Sequence, residues 1–309
     1  MFGIFRTAKE LRRRGVLGMN RRNAACILDH NDRSLFPVVD DKLKMRDLCL
    51  RIGVQTPRVF AEVGYHSMLR RIEELLPANG DFVVKPNRGA GGRGVLVLIG
   101  RTATNFVRHS GAILSPDELR QHLSDILSGM HSLGGRPDTA IVQQRVRLHP
   151  AFAPISFKGI PDIRVILYRR RPAMAMLRLP TKESGGRANL HQGGLGAGVD
   201  LDTGRTIHAV QRNRSIEVHP DTGHSLFGKQ VPYWQDVLDM SRRVATAVGL
   251  GYIGVDIVVD EKAGPMLLEA NARPGLAIQI ANGQGLIPRL EEIDRETSDE
   301  LGRIHKNAA

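Results

Sequence analysis

Apolar positions recur along this chain in two rhythms, and the alternation between them lays out most of its elements. Over residues 42–52, Met45, Leu48, Cys49 and Ile52 fall at i, i+3, i+4 and i+7. That is one face of a helix, stopped at Gly53. A second stripe, Leu69, Ile72, Leu75 and Leu76, ends before Pro77. Ser115-Pro116-Asp117-Glu118 is a capping box with proline at the first helical position, and it opens a helix that buries Leu119, Leu123, Ile126 and Leu127. A further helix over about 232–248 is expected to bury Val237, Ser241, Val244, Ala245 and Val248. Short apolar runs over 81–86, 95–99, 140–146, 162–168 and 173–179 read as strands, and a Gly-rich loop follows over 185–198. No internal repeat or low-complexity linker occurs.

The stretch over 254–275 organises the rest. Two β-rich runs flank the turn Glu261-Lys262-Ala263-Gly264, which is a hairpin signal. With Asp260 set opposite Pro265, Asp256 lies opposite Glu269, and Asn271 shares the face of Glu269. Two carboxylates and an amide oxygen then converge inside apolar strands, where a hard divalent cation such as Mg2+ resolves their repulsion. Neutralising Asp256 or Glu269 is therefore expected to leave the fold intact or slightly more stable.

Composition narrows the classes. The chain has 309 residues, 41% of them hydrophobic, enough for a sizeable core. No apolar run is long enough to span a bilayer, and the basic N-terminus lacks the apolar stretch of a secretory signal. Cys26 and Cys49 are the only cysteines, which excludes a disulfide framework and a cysteine zinc site and fits a reducing, cytoplasmic setting. The formal charge of +12 favours anionic partners, while 5% aromatic residues argue against a base-stacking platform and make nucleic acid an unlikely partner. Residues 1–35 carry Arg12, Arg13, Arg14, Arg21 and Arg22 without a convincing apolar face, and read as a solvated basic segment. Its deletion is expected to spare nucleotide binding.

Residues 89–94, GAGGRG, match G-x-G-x-x-G formally, but a strand follows where the dinucleotide fold needs a helix. In kinases the lysine follows such a loop, whereas Lys85 precedes this one, and no H-R-D or D-F-G is present. The remaining reading is a strand–loop–strand lid whose N–H groups close over phosphates, with Lys85 beneath. Gly91 and Gly92 are expected to need conformations that a Cβ resists. Arg164, alone on an apolar strand, either pairs with a carboxylate or faces an anionic substrate. His191 receives no proton-transfer role.

Taken together, DKL at 41–43, FVVKP, GAGGRGV, IVQQRV, DIRV, NLHQGG, GVDIV and LEANARPG resemble the ATP-grasp ligases over about residues 36–280, most closely the RimK-like α-L-glutamate ligases. The resemblance implies an α+β fold with two subdomains clamping ATP, the lid over about 80–143, within an ATP-grasp domain at 36–292 between the segment 1–35 and a polar tail at 293–309, read as a surface helix or disordered tail. It implies phosphate contacts from Lys42 and Lys85, a hinge at Gln143, Gln144, Arg145 and Val146, and Mg2+ held by Asp256, Glu269 and Asn271, with two ions and Mn2+ as a substitute. Arg164, Asn189 and Arg273 become contacts to the transferred phosphate and substrate. The implied activity is an ATP-dependent carboxylate–amine ligase working through an acylphosphate, with an amino acid such as glutamate added to a peptide or protein. A small-molecule amino-acid ligase and a non-catalytic basic binding protein are the alternatives. Such ligases usually carry a full substrate domain ahead of the lysine that Lys42 matches, where this sequence has 41 residues. A homo-oligomer and an acidic peptide or protein partner therefore stay open.

Overall fold

The computed structural model describes residues 9–89 and 91–307. The first eight residues of the basic segment, Ala90 of the Gly loop and the last two residues of the polar tail lie outside them. Two antiparallel sheets carry the chain. The first runs β1-β6-β2-β3-β4-β5, built from β1 (Val59–Val63), β2 (Asp81–Pro86), β3 (Leu96–Arg101), β4 (Phe106–Arg108), β5 (Ile113–Leu114) and β6 (Ala140–Gln143). On β2, Phe82 and Val84 point into a core with Leu98, Phe106 and Leu114, against Leu119, Leu123 and Ile126 of the helix Pro116–Leu127. The intervening Val83 and Lys85 face away from that core, as strand alternation requires. The capping box holds: Glu118 N donates to Ser115 Oγ at 3.2 Å, and Ser115 N to the Glu118 carboxylate at 2.7 Å.

The second sheet runs β11-β10-β9-β8-β7-β12-β13. Its strands are β7 (Asp162–Tyr168), β8 (Arg171–Leu179), β9 (Leu195–Val199), β10 (Thr206–Gln211), β11 (Arg214–Ser215), β12 (Tyr252–Asp260) and β13 (Gly264–Asn271). The helices Trp234–Val248, Ala277–Asn282 and Ile287–Asn307 pack on it; Leu290 and Ile293 of the last enter the core. No helix among the described residues is long and apolar enough to cross a membrane.

Three expectations are corrected. Part of the expected Gly-rich loop is the buried strand β9, LGAGV. A Cβ on Gly198 would come within 2.6 Å of Asn282 Cα, so these glycines let the helix Ala277–Asn282 lie against the sheet. The strand expected over 140–146 ends at Gln143, because Gln144 N turns to Arg58 O at 2.7 Å.

The third concerns the basic segment. Leu17, Cys26 and Ile27 are buried in the core of the larger sheet. The Asn31 side chain receives Tyr252 N at 2.8 Å and donates to Tyr252 O and Ala272 O at 2.7 and 3.2 Å. Gln279 receives Leu17 N at 2.8 Å and donates to Leu17 O at 3.1 Å. The guanidinium cluster at Arg12, Arg13 and Arg14 stays exposed, as does Arg21. Deletion of residues 1–35 is therefore expected to prevent folding rather than spare nucleotide binding, since several fully buried apolar side chains and a backbone-pairing amide go together. A cooperative thermal transition within about 5 °C of the full chain's would show the segment to be dispensable.

Candidate functional site

The centre of the larger sheet is a ladder of charge. On β12, Asp256 is opposite Arg164 of β7 on one side and Glu269 of β13 on the other. The hairpin register reaches this pairing by a route the sequence does not announce. Asp260 pairs with Gly264 and Val259 with Pro265, and a bulge between Asp256 and Ile257, with Leu268 as the extra residue, restores Asp256 to Glu269. Arg164 grips Asp256 with two bonds, Nε to Oδ1 at 2.7 Å and Nη2 to Oδ2 at 2.6 Å. Arg178 of β8 adds Nη2 to Oδ2 at 2.7 Å and bonds Asp162 through Nε. Asp256 is fully buried. Burial alone would raise its pKa, but the two guanidinia outweigh that and hold the carboxyl well below its usual range. Glu269, half-buried, is pushed up by burial and by the Asp256 charge.

Arg164 thus pairs with a carboxylate, one of its two expected alternatives. Arg178 was not singled out in the sequence, although it gives the same signal: a lone cation in an apolar strand, here in the register position opposite Asp162. The ladder also argues against the expectation that neutralising Asp256 leaves the fold intact, because two buried guanidinia depend on it.

Glu269 faces a cleft between the two sheets, lined also by Lys42, Leu43, Lys85, Ile141, Gln143 and Leu267 and holding about 430 Å³ of space continuous with solvent. Lys85 and Gln143, 8% and 5% exposed, look into it from β2 and β6. Burial, and then the charge of Lys42, lower the Lys85 pKa to about 7. Lys42 Nζ is held by carbonyls at the start of the Gly loop, Gly89 O at 2.7 Å and Asn87 O at 3.2 Å. The rest of the expected hinge has other partners. The Gln144 amide oxygen receives Arg58 N at 3.2 Å, Arg145 forks onto Asp81 at 2.6 and 3.0 Å, and Val146 packs on Val258 and Met266.

Gly91 and Gly92 take φ of +65° and +74°, the left-handed region that favours glycine. They lie over the loop that follows β8: Gln192 Nε2 donates to Gly91 O at 3.3 Å, and a Cβ on Gly91 would sit 3.8 Å from Asn189 Nδ2. Asn189 Oδ1 accepts His191 N at 2.9 Å, starting a short helical turn. Strand β13 ends at Asn271, whose Oδ1 receives Arg273 N at 3.0 Å, and the Arg273 guanidinium lies 4.8 Å over the Phe36 ring. Arg273→Ala is expected to cost about 0.5–1 kcal/mol of stability and leave nucleotide affinity unchanged. A tenfold loss of affinity would put Arg273 in the cleft.

The donor set fits a hard cation. No three His, Cys, Asp or Glu side chains among the described residues surround one point. The register does set Glu269 opposite Asp256, with Asn271 two residues further along β13. Mg2+ characteristically takes one or two carboxylates and completes its shell with water and phosphate.

A family model described as sugar-transfer associated ATP-grasp matches residues 21–295. No curated protein matches the chain. Among solved structures, the ATP-grasp ligase PsnB complexed with a minimal precursor is similar at 16% identity and a TM-score of 0.45, over 84% of this chain and 60% of that one. An L-amino acid ligase from Bacillus licheniformis is similar at 13% identity and a TM-score of 0.44, over 80% of this chain and 43% of that one. A RimK domain ATP-grasp protein from Sphaerobacter thermophilus is similar at 12% identity and a TM-score of 0.46, over 85% and 70%. The chain therefore spans about 60% of the length of PsnB.

Proposed function

The chain belongs to the sugar-transfer associated ATP-grasp family, and on that premise we propose that it uses ATP to activate a substrate carboxylate and joins it to an amine. The two α+β layers are the architecture that the motif resemblance implied. In the proposed reaction a carboxylate oxygen attacks the γ-phosphorus and ADP leaves with the bridging oxygen. The amine then attacks the acyl carbon, phosphate departs with the electron pair of the broken C–O bond, and the nitrogen loses a proton. Such chemistry asks for charge neutralisation and positioning more than for side-chain acid or base work.

The observation that carries this reading is the convergence of Lys85, Lys42 and Glu269 on one cleft backed by the Arg164–Asp256–Arg178 ladder. Lys85 and Lys42 bind phosphates, and Gln143 meets the base with the backbone of residues 144–146. Arg164 and Arg178 fix the Asp256 carboxylate, and Asn189 with Gly91 and Gly92 closes over the transferred group, excluding water that would hydrolyse the acylphosphate. Glu269, Asn271 and Asp256 are the residues that would hold Mg2+, which supplies neutralisation of the phosphate charge when bound. The family's tie to sugar transfer favours a sugar carboxylate, a uronate, as the acceptor to try first; glutamate and acidic peptides follow from the RimK-like motifs.

The test is ADP release with Mg2+, a carboxylate panel and hydroxylamine as the amine. Acyl hydroxamate formed in step with ADP is the expected result. ADP formed with phosphate left on a hydroxyl, or ADP release indifferent to every carboxylate, would overturn the reading.

A further inference from the structure

We infer that the acceptor is a polyanion, an oligomer of uronate units, received at a base-lined mouth formed where the lid meets the two loops at the end of the ladder. This deepens the ligase reading and rests on it. One loop enters β7 just ahead of Asp162, and the other leaves β8 just after Arg178, so both spring from the end of the sheet where Asp162 and Arg178 are paired. They also touch each other and the lid. Lys158 O is bonded to His109 Nε2 of the lid at 3.0 Å. A Cβ on Gly186 would meet Lys158 O at 2.4 Å, and a Cβ on Gly92 would lie 3.8 Å from Arg187 Cδ.

This rim carries Arg93, Lys158, Lys182 and Arg187, all exposed. None is in a side-chain ion pair among the described residues, whereas Arg164 and Arg178, on the strands that these loops extend, both are. Of the acids beside them, Glu183 is taken by Arg212, and Asp221 accepts the Lys182 backbone N–H at 2.7 Å. Unpaired like charges held on adjoining loops repel, and an anion spanning them offsets that cost. A single carboxylate going to the reaction centre would leave the rim unused, while a chain of carboxylates fills both. Uronates follow from the sugar-transfer context of the reading above.

The probe is trigalacturonate, with galacturonate and triglutamate as comparators, bound to the full chain in the presence of a non-hydrolysable ATP analogue and Mg2+. Trigalacturonate is expected to bind at least about tenfold more tightly than galacturonate, and less tightly as salt rises. Arg187→Gln with Lys158→Gln is expected to weaken it roughly tenfold, two rim charges at a few-fold each, with nucleotide affinity unchanged. Both positions are exposed, so the fold should tolerate them. Equal affinity for monomer and trimer, or a double variant that binds like the parent, would overturn the mouth. Tighter binding of triglutamate would overturn the uronate assignment. Hydroxamate formation on the same preparation keeps the two readings apart. Trimer binding without hydroxamate sinks the ligase and leaves the mouth standing, and hydroxamate from monomer and trimer alike does the reverse.

Discussion

Asp256→Asn should abolish turnover and also destabilise the fold, by about 3–5 kcal/mol, the usual effect of taking one partner from a buried ion pair. Arg164 and Arg178 both spend N–H bonds on this one carboxylate, and Asp162 meets only one of the two. An asparagine keeps an acceptor oxygen but leaves the guanidinia under-compensated at a fully buried position. Glu269→Gln should behave differently although it faces the same residue. Glu269 is half-buried and repelled by Asp256, so its neutral isostere should keep or slightly raise the melting temperature. It should still cut turnover by roughly 100–1000-fold, the scale of losing one positioned charge at the reaction centre. Paired melting curves and ADP-release rates separate the two. Equal stability loss in both variants would show that the ladder does not bear on Asp256 as described.

The second large effect belongs to Lys85. Its pKa of about 7 lies below the usual lysine value of 10.5, so between those pH values the folded protein binds fewer protons than the unfolded chain. Stability should therefore rise with pH through that window, and the full cost of burying the ammonium should be felt below pH 7. Lys85→Met should melt higher than the parent at pH 6–7, and the advantage should shrink towards pH 10. Nucleotide phosphates reverse the balance by favouring the charged amine. Near pH 8 the parent should take up about one proton per nucleotide beyond what Lys85→Met takes up, and at pH 6 almost none. Titration calorimetry in buffers of different ionisation enthalpy reads this directly. The variant should bind nucleotide roughly 10–100-fold more weakly, the worth of a hydrogen bond to a charged group. No difference in proton uptake between parent and variant at pH 8 would remove Lys85 from the phosphates.

What the sequence made legible follows how local each signal is. The turn at 261–264 and the capping box at Ser115 are written in consecutive residues, and both appear where expected. The Asp256–Glu269 pairing was reached with the turn register one residue out, and the Leu268 bulge cancelled the error; strict alternation cannot see a bulge. Strands β4 and β5 have three and two residues, too few to show a period. The ATP-grasp motifs brought Lys42, Lys85, Gln143 and Glu269 to one cleft, but Gln144 and Arg145 are drawn off by Arg58 and Asp81, contacts that depend on neighbouring strands. The basic segment misled because Leu17 and Asn31 answer to residues more than 220 positions away, and no window of sequence contains both ends of such a contact.

That last separation sets an order of events during synthesis. The lid sheet and its helix occupy one continuous stretch, 59–143, and have all their own pairing partners once that stretch has left the ribosome. Leu17 waits for Gln279, 262 residues later, which at 5–20 residues per second is roughly 13–50 s. Through that interval Leu17, Cys26 and Ile27 are a ribosome-distal apolar strip with no core to enter, and β7 lacks the β12 neighbour that buries its edge. A nascent chain stalled before residue 250 should therefore present a protease-resistant lid between two cleavable flanks, and should be a chaperone client at its N-terminal end.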